Sequence, residues 1–304
     1  MIRQNLTDNS KIFSITEPHT LGFIDLIIRW LHIDQRRFSK EFHPEEDAFL
    51  ASEQYPIFAV ADGVTLEVGK DGKYPNPSGA GVAAKIFCEE AVRAGERLYN
   101  GFTDRDVQSV FKAANDAVGE YNKKEGRTRE TVNYLDWDLF AATAAFALLK
   151  DGVLYWGSLC DSYVAYFDTI GTRVFKSPIC WPDRRVKEHR MKNVKNNEEK
   201  RKIIHSIFRN GVDGEGNLIG YGVVTGEEAA LRYLNKGSFP LREGGVLALF
   251  TDGFEDYFDL PEFVNLLSAW PEDLESKVKC FTLDKSQSDI PRYGRERTLI
   301  AVKF

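Results

Sequence analysis

Two stretches of this chain share one pattern, in which a run of apolar residues ends in Asp-Gly. The stretch "IFAVADG" ends at Asp62-Gly63, and "VLALFTDG" ends at Asp252-Gly253. Continuous apolar runs of this length predict strands that are covered on both faces. A carboxylate at the end of such a strand is costly to desolvate unless a cation compensates it. The pattern therefore leaves two interpretations open, a strand-ending Asp-Gly turn or a metal ligand.

Further acidic residues stand beside other predicted strands. Asp161 lies within the apolar stretch "VLYWGSLCDSYVAYF", which we interpret as one strand, and Glu45, Glu46 and Asp47 precede the strand "DAFLAS". Converging carboxylates repel one another, and divalent cations reverse that repulsion. Carboxylate, carbonyl and water oxygens are the ligands that Mg²⁺ and Mn²⁺ prefer. If the strand ends meet, the acids predict a site for two such ions, which would activate a water molecule for attack on phosphorus.

The composition argues against several other classes of protein. The net charge of −6 argues against nonspecific nucleic-acid binding, so no nucleic-acid partner is expected. The longest apolar helix candidate, residues 21–33, carries Asp25 and Arg29 and is too short and too charged to cross a bilayer. We predict an amphipathic packing helix there, and we expect no signal peptide and no membrane partner. The four cysteines form no CxxC pair, which argues against a zinc cage. They are widely spaced, which favours a reducing compartment, and we expect the cytoplasm.

The order of predicted elements indicates a mixed α+β fold with mainly antiparallel strands. Two early strands are followed by helices over about residues 79–95 and 103–123. A hairpin turn at residues 150–152, a helix over about 260–270 and a closing strand, "RTLIAVKF", follow. The charged segment at about 184–202 reads either as a substrate-selecting flap or as a solvated helix.

The histidines show no spacing typical of metal ligands. His43 lies close to Glu46 in the sequence and is the histidine that we keep as a candidate general acid. A metal-activated water needs no serine, cysteine or histidine nucleophile, which agrees with this pattern.

Six stretches, in order, match the motifs of one known family. They are "EEDAF", "FAVADGV", "AATAAFALL", "SLCDSYVAYF", "LALFTDGFEDYF" and "RERTLIAVKF". From about residue 39 to the last residue, the chain resembles the metal-dependent PPM protein phosphatases, the type 2C serine/threonine phosphatases, and "GYGVVTGE" resembles bacterial members. The resemblance implies a four-layer αββα sandwich, in which two mainly antiparallel sheets are flanked by helices. We expect a single domain over residues 1–304, with an N-terminal helical extension at about 1–38 and a flap-like insertion at about 177–220.

The resemblance also implies which residues bind two Mg²⁺ or Mn²⁺ ions between the sheets. Asp62 would bridge both ions, and Asp252 would bind the first. The carbonyl of Gly63 and the carboxylate of Glu46 would bind the second, with Asp47 alongside. The positions that match the acids of a weaker third metal are Asp161 and Asp256.

Two positions depart from the family pattern. Where the closing motif has an aspartate, this chain has Arg295, a cation that would oppose binding of the first ion. Glu296 is next to it and would replace the aspartate only after a backbone shift, because neighbouring strand residues point to opposite faces. Phe42 stands where the family has a phosphate-binding arginine. The other candidates for phosphate binding are Arg36, Arg37, Lys40 and Arg295 itself.

The implied activity is hydrolysis of phosphoserine or phosphothreonine by a water that is activated between two metals, with either both metal positions well supplied or one of them weakened. We expect a phosphorylated protein as substrate and a monomeric, cytoplasmic enzyme. A degenerate family member that binds phosphoproteins without hydrolysing them is the alternative, because Phe42 and Arg295 lie in the site itself. A third hypothesis is that the protein is a phosphatase for small phosphorylated metabolites.

Overall fold

The architecture is taken from a computed structural model of the chain. It describes residues 10–21, 24–35, 44–64, 74–179, 192, 194 and 196–304; for residues 10–21 and 24–35 it describes the backbone alone. The strands are β1 (Ser10–Leu21), β2 (Ile24–Gln35), β3 (Asp47–Ala51), β4 (Ile57–Gly63), β5 (Ala142–Lys150), β6 (Val153–Leu159), β7 (Tyr163–Phe167), β8 (Arg173–Lys176), β9 (Asn235–Pro240), β10 (Val246–Phe250) and β11 (Arg297–Lys303). The α-helices are α1 (Gly79–Leu98), α2 (Asp104–Lys124), α3 (Asn197–Ile203), α4 (Pro261–Ala269), α5 (Leu274–Ser288) and α6 (Ile290–Tyr293).

The strands form two sheets with antiparallel pairing throughout the described residues. Sheet 1 has the order β1-β2-β11-β10-β7-β8, and sheet 2 has the order β3-β4-β5-β6-β9. Both Asp-Gly stretches end buried strands, β4 in sheet 2 and β10 in sheet 1. The predicted strands therefore form as the apolar runs indicate, and each sheet contributes one of the two acidic strand ends.

Three apolar layers hold the sheets and helices together. The layer between the sheets includes Phe58 and Val60 of β4 and Leu247 and Leu249 of β10. The outer face of sheet 2 packs against α1 and α2. On α2, the apolar face that the sequence predicts is buried; it consists of Val107, Val110, Phe111, Ala114 and Val118. The outer face of sheet 1 packs against α4 and α5. The layers are αββα, so the predicted fold class is confirmed.

The predicted helix over residues 21–33 is wrong, and so is the helical extension where residues 10–21 and 24–35 are described. Both segments are strands, and β2 pairs with the closing strand β11 at Trp30 opposite Val302 and Leu31 opposite Ala301. The segment is rich in isoleucine, which favours an extended strand. The unpaired edge of β11 offers backbone hydrogen bonds to it, so tertiary pairing overrides the apolar spacing that suggested a helix.

The prediction of one strand across Asp161 is also wrong. The chain leaves β6 of sheet 2 at Leu159, turns at Cys160 and Asp161, and enters β7 of sheet 1 at Tyr163. Each half pairs with a different sheet, and both halves are apolar, so the sequence shows no break between them. The turn places Asp161 where the chain passes from one sheet to the other.

Among the described residues, every helix is too short or too polar to span a bilayer. The segment after residue 177 is described only in part. Where it resumes, it forms α3 and a π-helical turn, Ile204–Phe208. Its role as a flap stays a prediction.

Candidate active site at the strand ends

The first strand end gathers three acidic residues. Asp47 of β3 lies opposite Asp62 of β4 in the antiparallel register. The backbone N–H of Gly63 donates to the carbonyl of Glu46 at 3.0 Å, and Glu46 is buried. The pairing of β3 with β4 therefore fixes Glu46, Asp47 and Asp62 beside one another.

The glycines of the two Asp-Gly stretches are required by close contacts between backbones. A Cβ atom on Gly63 would lie 2.6 Å from the carbonyl carbon of Ala80, at the start of α1. A Cβ atom on Gly253 would lie 1.9 Å from the carbonyl oxygen of Glu296. A side chain at either position would force the backbone apart, so Asp-Gly here permits close approach in addition to ending a strand.

The second strand end is joined to the first by a hydroxyl group. Thr251, the residue before Asp252, donates from Oγ1 to Oδ2 of Asp47 at 2.8 Å. The same Oγ1 accepts the backbone N–H of Thr298 at 2.9 Å. This chain of hydrogen bonds links β3 of sheet 2 to the ends of β10 and β11 of sheet 1. Asp252 itself begins a 3-10 helix, Asp252–Asp259.

Asp161 reaches the same place from the turn between the sheets. Cys160 before it has φ +60°, in the left-handed region that costs a residue with a Cβ about 1 kcal/mol or more. Cys160 and Ser162 on either side are buried, and Ser162 Oγ lies 2.7 Å from Thr143 Oγ1 of β5. The turn is therefore held at both ends and presents Asp161 to the other acids.

The carboxylates affect one another through space. Burial raises the pKa of Asp62 well above its usual range, and Asp47, Asp252, Asp161 and Glu296 raise it further. Burial and then Asp161 raise the pKa of Asp252 to about 6, although Arg295 opposes the shift. Burial also raises the pKa of Asp161. Acids from four separate parts of the sequence thus lie close enough to repel one another.

Arg295 lies within this cluster and pairs with two of its acids. Its Nη1 is 2.5 Å from Oδ2 of Asp252, and its Nη2 is 3.6 Å from Oδ2 of Asp256. Arg292 also pairs with Asp256, with Nη2 to Oδ1 at 3.1 Å. A guanidinium thus compensates Asp252 at the position where the family pattern has an acid.

Glu296 reaches the cluster too, contrary to the expectation that it points to the opposite face. Its Oε1 accepts the backbone N–H groups of Glu46 at 2.9 Å and Asp47 at 3.0 Å. Arg295 and Glu296 precede the first residue of β11, Arg297, so the alternation of a strand does not apply to them. Glu296 therefore tethers the start of β3 to the start of β11.

The structure brings together nearly all of the acids that the sequence singles out. These are Glu46, Asp47, Asp62, Asp161, Asp252, Asp256 and Glu296. Sequence reasoning missed Thr251 and also Glu255, which raises the pKa of Asp252 and pairs with Lys176 at 2.6 Å. Glu255 follows Asp252 by three residues, and residues at that spacing lie on the same face of a helical turn. This spacing was the sequence signal that could have identified Glu255. Phe42, His43 and the basic residues 36, 37 and 40 lie outside the described residues.

A divalent cation fits one part of this cluster better than the other. Four acids raise the pKa of Asp62, whereas Asp252 already pairs with Arg295. The oxygen donors suit Mg²⁺ or Mn²⁺. Within the described ranges, no three Asp, Glu, His or Cys side chains are grouped tightly enough to form a ready-made metal site.

Comparison with known proteins identifies the family. Residues 37–283 match the sequence profile of the family described as Protein phosphatase 2C. The chain belongs to the protein phosphatase 2C family. A search of curated protein sequences found no match.

Solved structures of protein phosphatase 2C relatives share the fold. The serine/threonine phosphatase PstP/Ppp of Mycobacterium tuberculosis is 16% identical with a TM-score of 0.59, covering 92% of this chain and 99% of its own. The PstP catalytic domain in complex with 2 manganese ions is 15% identical with a TM-score of 0.57, covering 90% and 96%. PppA of Pseudomonas aeruginosa is 13% identical with a TM-score of 0.56, covering 91% and 97%. At these identities the likeness concerns the fold.

Proposed function

We propose that this protein phosphatase 2C domain hydrolyses phosphoserine and phosphothreonine in proteins and depends on Mg²⁺ or Mn²⁺. The observation that carries the proposal is the meeting of Asp62, Asp252 and Asp161 from both sheets, where their negative charges raise one another's pKa. Retaining a buried cluster of like charges is costly for folding alone, and such clusters are typical of functional sites. The structure of PstP with manganese supports a divalent metal in this fold.

The ligands of two ions would follow the strand ends. Asp62 would bridge them, with Glu46, Asp47 and the Gly63 carbonyl on one side and Asp252 on the other. When bound, such ions lower the pKa of a bound water and neutralise charge on the phosphoryl group. Supporting acids for a third, weaker ion are Asp161 and Asp256.

The chain's own residues position the ligands and balance their charge. Thr251 fixes the orientation of Asp47, and Glu296 fixes the backbone at Glu46 and Asp47. Arg295 neutralises part of the charge at Asp252, so we expect the ion beside Asp252 to bind more weakly. The guanidinium is also a candidate to bind the phosphate group, because guanidinium groups pair with phosphate through two hydrogen bonds.

The proposal is tested by hydrolysis of p-nitrophenyl phosphate and of phosphoserine peptides with Mn²⁺ and with EDTA. We expect turnover with Mn²⁺, loss of turnover with EDTA, and loss of turnover in Asp62→Ala. Asp116→Ala is the matched control, since that carboxylate is exposed on α2 and pairs with Lys112. Equal turnover with Mn²⁺ and EDTA would contradict the proposal. Faster hydrolysis of small phosphate esters of metabolites than of peptides would favour a metabolite substrate.

The ion pair between Arg295 and Asp252 is the observation behind the alternative of a phosphoprotein-binding domain without turnover. Binding of a phosphopeptide by folded protein, with no hydrolysis at saturating Mn²⁺, would favour that alternative. For the active enzyme, we expect a monomer that acts in the cytoplasm.

A further inference from the structure

A cavity of about 210 Å³ lies beside the acidic cluster and shares Asp161 with it. Val64, which follows Asp62-Gly63, forms part of its wall. The π-helical turn and the residue after it also line the cavity, through His205, Phe208 and Arg209. The cavity is therefore placed to receive a group attached to a phosphate that is held at the acids.

His205 is fixed by a buried carboxylate. Its Nδ1 is hydrogen-bonded to Oδ2 of Asp138, whose side chain is 1% exposed. Burial alone would raise the pKa of Asp138, but the hydrogen bond from His205 and the charge of Arg209 lower it to about 2. Asp138 is therefore ionised and can only accept, so Nδ1 of His205 carries a proton. The other ring nitrogen, Nε2, is turned away from Asp138.

Asp138 is itself held by two further hydrogen bonds. Arg209 Nη2 donates to Oδ1 of Asp138 at 2.7 Å, and the backbone N–H of Leu139 donates to the same oxygen at 2.7 Å. Nε of Arg209 is buried with no hydrogen-bond partner among the described residues. A fixed imidazole in the cavity wall suits a ligand that offers an oxygen acceptor.

Cys160, Tyr221 and Arg209, which also line this cavity, are poor proton donors near neutral pH. Burial, followed by the charge of Asp161, raises the pKa of the Cys160 thiol well above its usual range. Burial likewise raises the pKa of Tyr221. Asp161 belongs to the acidic cluster, and Arg209 stays charged. Imidazole is the side chain that commonly exchanges a proton near neutral pH.

On the basis of the proposed function, we infer that the phosphorylated side chain enters this cavity and that His205, positioned by Asp138, protonates its leaving oxygen. Water forms a bond to phosphorus as the bond from phosphorus to the serine oxygen breaks. The electron pair of that bond stays on the serine oxygen, which takes the proton from Nε2 of the doubly protonated His205 ring and leaves a neutral ring with its proton on Nδ1. The water gives up a proton to solvent, and His205 regains one from solvent. The products are a serine hydroxyl and inorganic phosphate.

The test compares two leaving groups in one pair of variants. p-Nitrophenolate is a stable anion that leaves without a proton, whereas a serine alkoxide is strongly basic and needs one. In His205→Gln with Mn²⁺, we expect kcat for a phosphoserine peptide to fall about 100-fold or more, the usual size of such an effect, with p-nitrophenyl phosphate turnover within about threefold of the wild-type value. Lys202→Ala on the exposed face of α3 is the matched control, and thermal melting checks that each variant is folded.

The outcomes separate this inference from the proposed function. If His205→Gln slows both substrates equally, or slows neither, the inference is overturned while the phosphatase proposal stands. If the wild-type protein hydrolyses neither substrate with Mn²⁺, the proposed function fails and the inference fails with it. Asp138→Asn should show the same split between substrates in weaker form, since it alters the support of the ring but not the donor. A uniform loss there would assign Asp138 to folding alone and contradict its positioning role.

Discussion

The two Asp-Gly strand ends are alike in sequence but differ in how their charge is balanced. Both follow buried strands, and both have a glycine where a side chain would collide with a neighbouring backbone. The acids Asp47, Asp252, Asp161 and Glu296 raise the pKa of Asp62, whereas Asp252 is paired with Arg295 at 2.5 Å. Asp252 thus has a compensating cation within the chain, and we expect Asp62 to depend on a cation from solution. Although the two motifs match in sequence, we therefore expect ions at the two strand ends to bind with unequal affinity.

The largest effect should come from removing the uncompensated acid. Asp62→Ala takes away the ligand that would bridge both ions, and we expect kcat/KM for p-nitrophenyl phosphate with Mn²⁺ to fall about 1000-fold or more, roughly 4 kcal/mol. Asp252→Ala should lower kcat/KM less, because Arg295 already compensates part of the negative charge of Asp252 and a metal ion there would neutralise only the remainder. Steady-state kinetics measure both variants. A greater loss in Asp252→Ala than in Asp62→Ala would reverse the comparison.

The glycines test whether close backbone contacts hold both strand ends in place. We expect Gly253→Ala to lower the free energy of unfolding by about 3 kcal/mol, since its Cβ would lie 1.9 Å from a carbonyl oxygen of the chain. Gly63→Ala should cost less, because its nearest contact is 2.6 Å. Gly101→Ala, with nothing within 4 Å, is the control and should change little. Urea unfolding in EDTA gives the values, and equal stability of the three variants would be inconsistent with the packing described.

The raised pKa of Asp252 should make the stability of the metal-free protein depend on pH. Its pKa is raised from 3.8 to about 6, so the folded state binds this proton more tightly than the unfolded state does. Its contribution to stability is present below about pH 4 and is lost as the pH rises through about 6. In Asp252→Asn the side chain stays uncharged over this pH range, so this variant does not lose stability in that way. The advantage of Asp252→Asn over wild type in urea unfolding with EDTA should therefore grow by on the order of 2 kcal/mol between pH 4 and pH 7. An advantage that shrinks over this range would contradict the raised pKa.

The smallest effect should come from removing the built-in cation. Arg295→Ala leaves Asp252 without its guanidinium partner, and we expect Mn²⁺ to bind about tenfold more tightly, a change of about 1.4 kcal/mol. Arg295→Asp should bind it more tightly still. Arg292→Ala is the matched control, because Arg292 pairs with Asp256 and not with Asp252. Calorimetric titration measures the affinities. Unchanged affinity in both Arg295 variants would show that this residue does not compete with the metal.

The sequence predicts those parts of the fold that local pattern decides. Apolar runs identify β4 and β10, and helical spacing identifies the buried face of α2. The N-terminal strand β2 is missed because its pairing with β11 is a long-range contact that apolar spacing does not reveal. The break at Asp161 is missed because the residues on both sides are apolar although they enter different sheets.

The same limit applies to the site. The acids are predictable because carboxylates beside buried strands are unusual in any fold. The reach of Glu296 is not predictable, since it depends on β11 beginning only at Arg297. His205 carries no spacing signal at all. Its partner Asp138 is 67 residues away, and only the fold shows that the two meet beside the cavity.

Metal binding between the strand ends is tested by anomalous diffraction from crystals grown with saturating Mn²⁺. We expect an anomalous peak in contact with the carboxylates of Asp62 and Asp47, and a weaker peak beside Asp252 with Arg295 displaced from its present contact. Crystals with no peak between the two strand ends, and with the acids still apart, would contradict a metal-dependent active site in this chain.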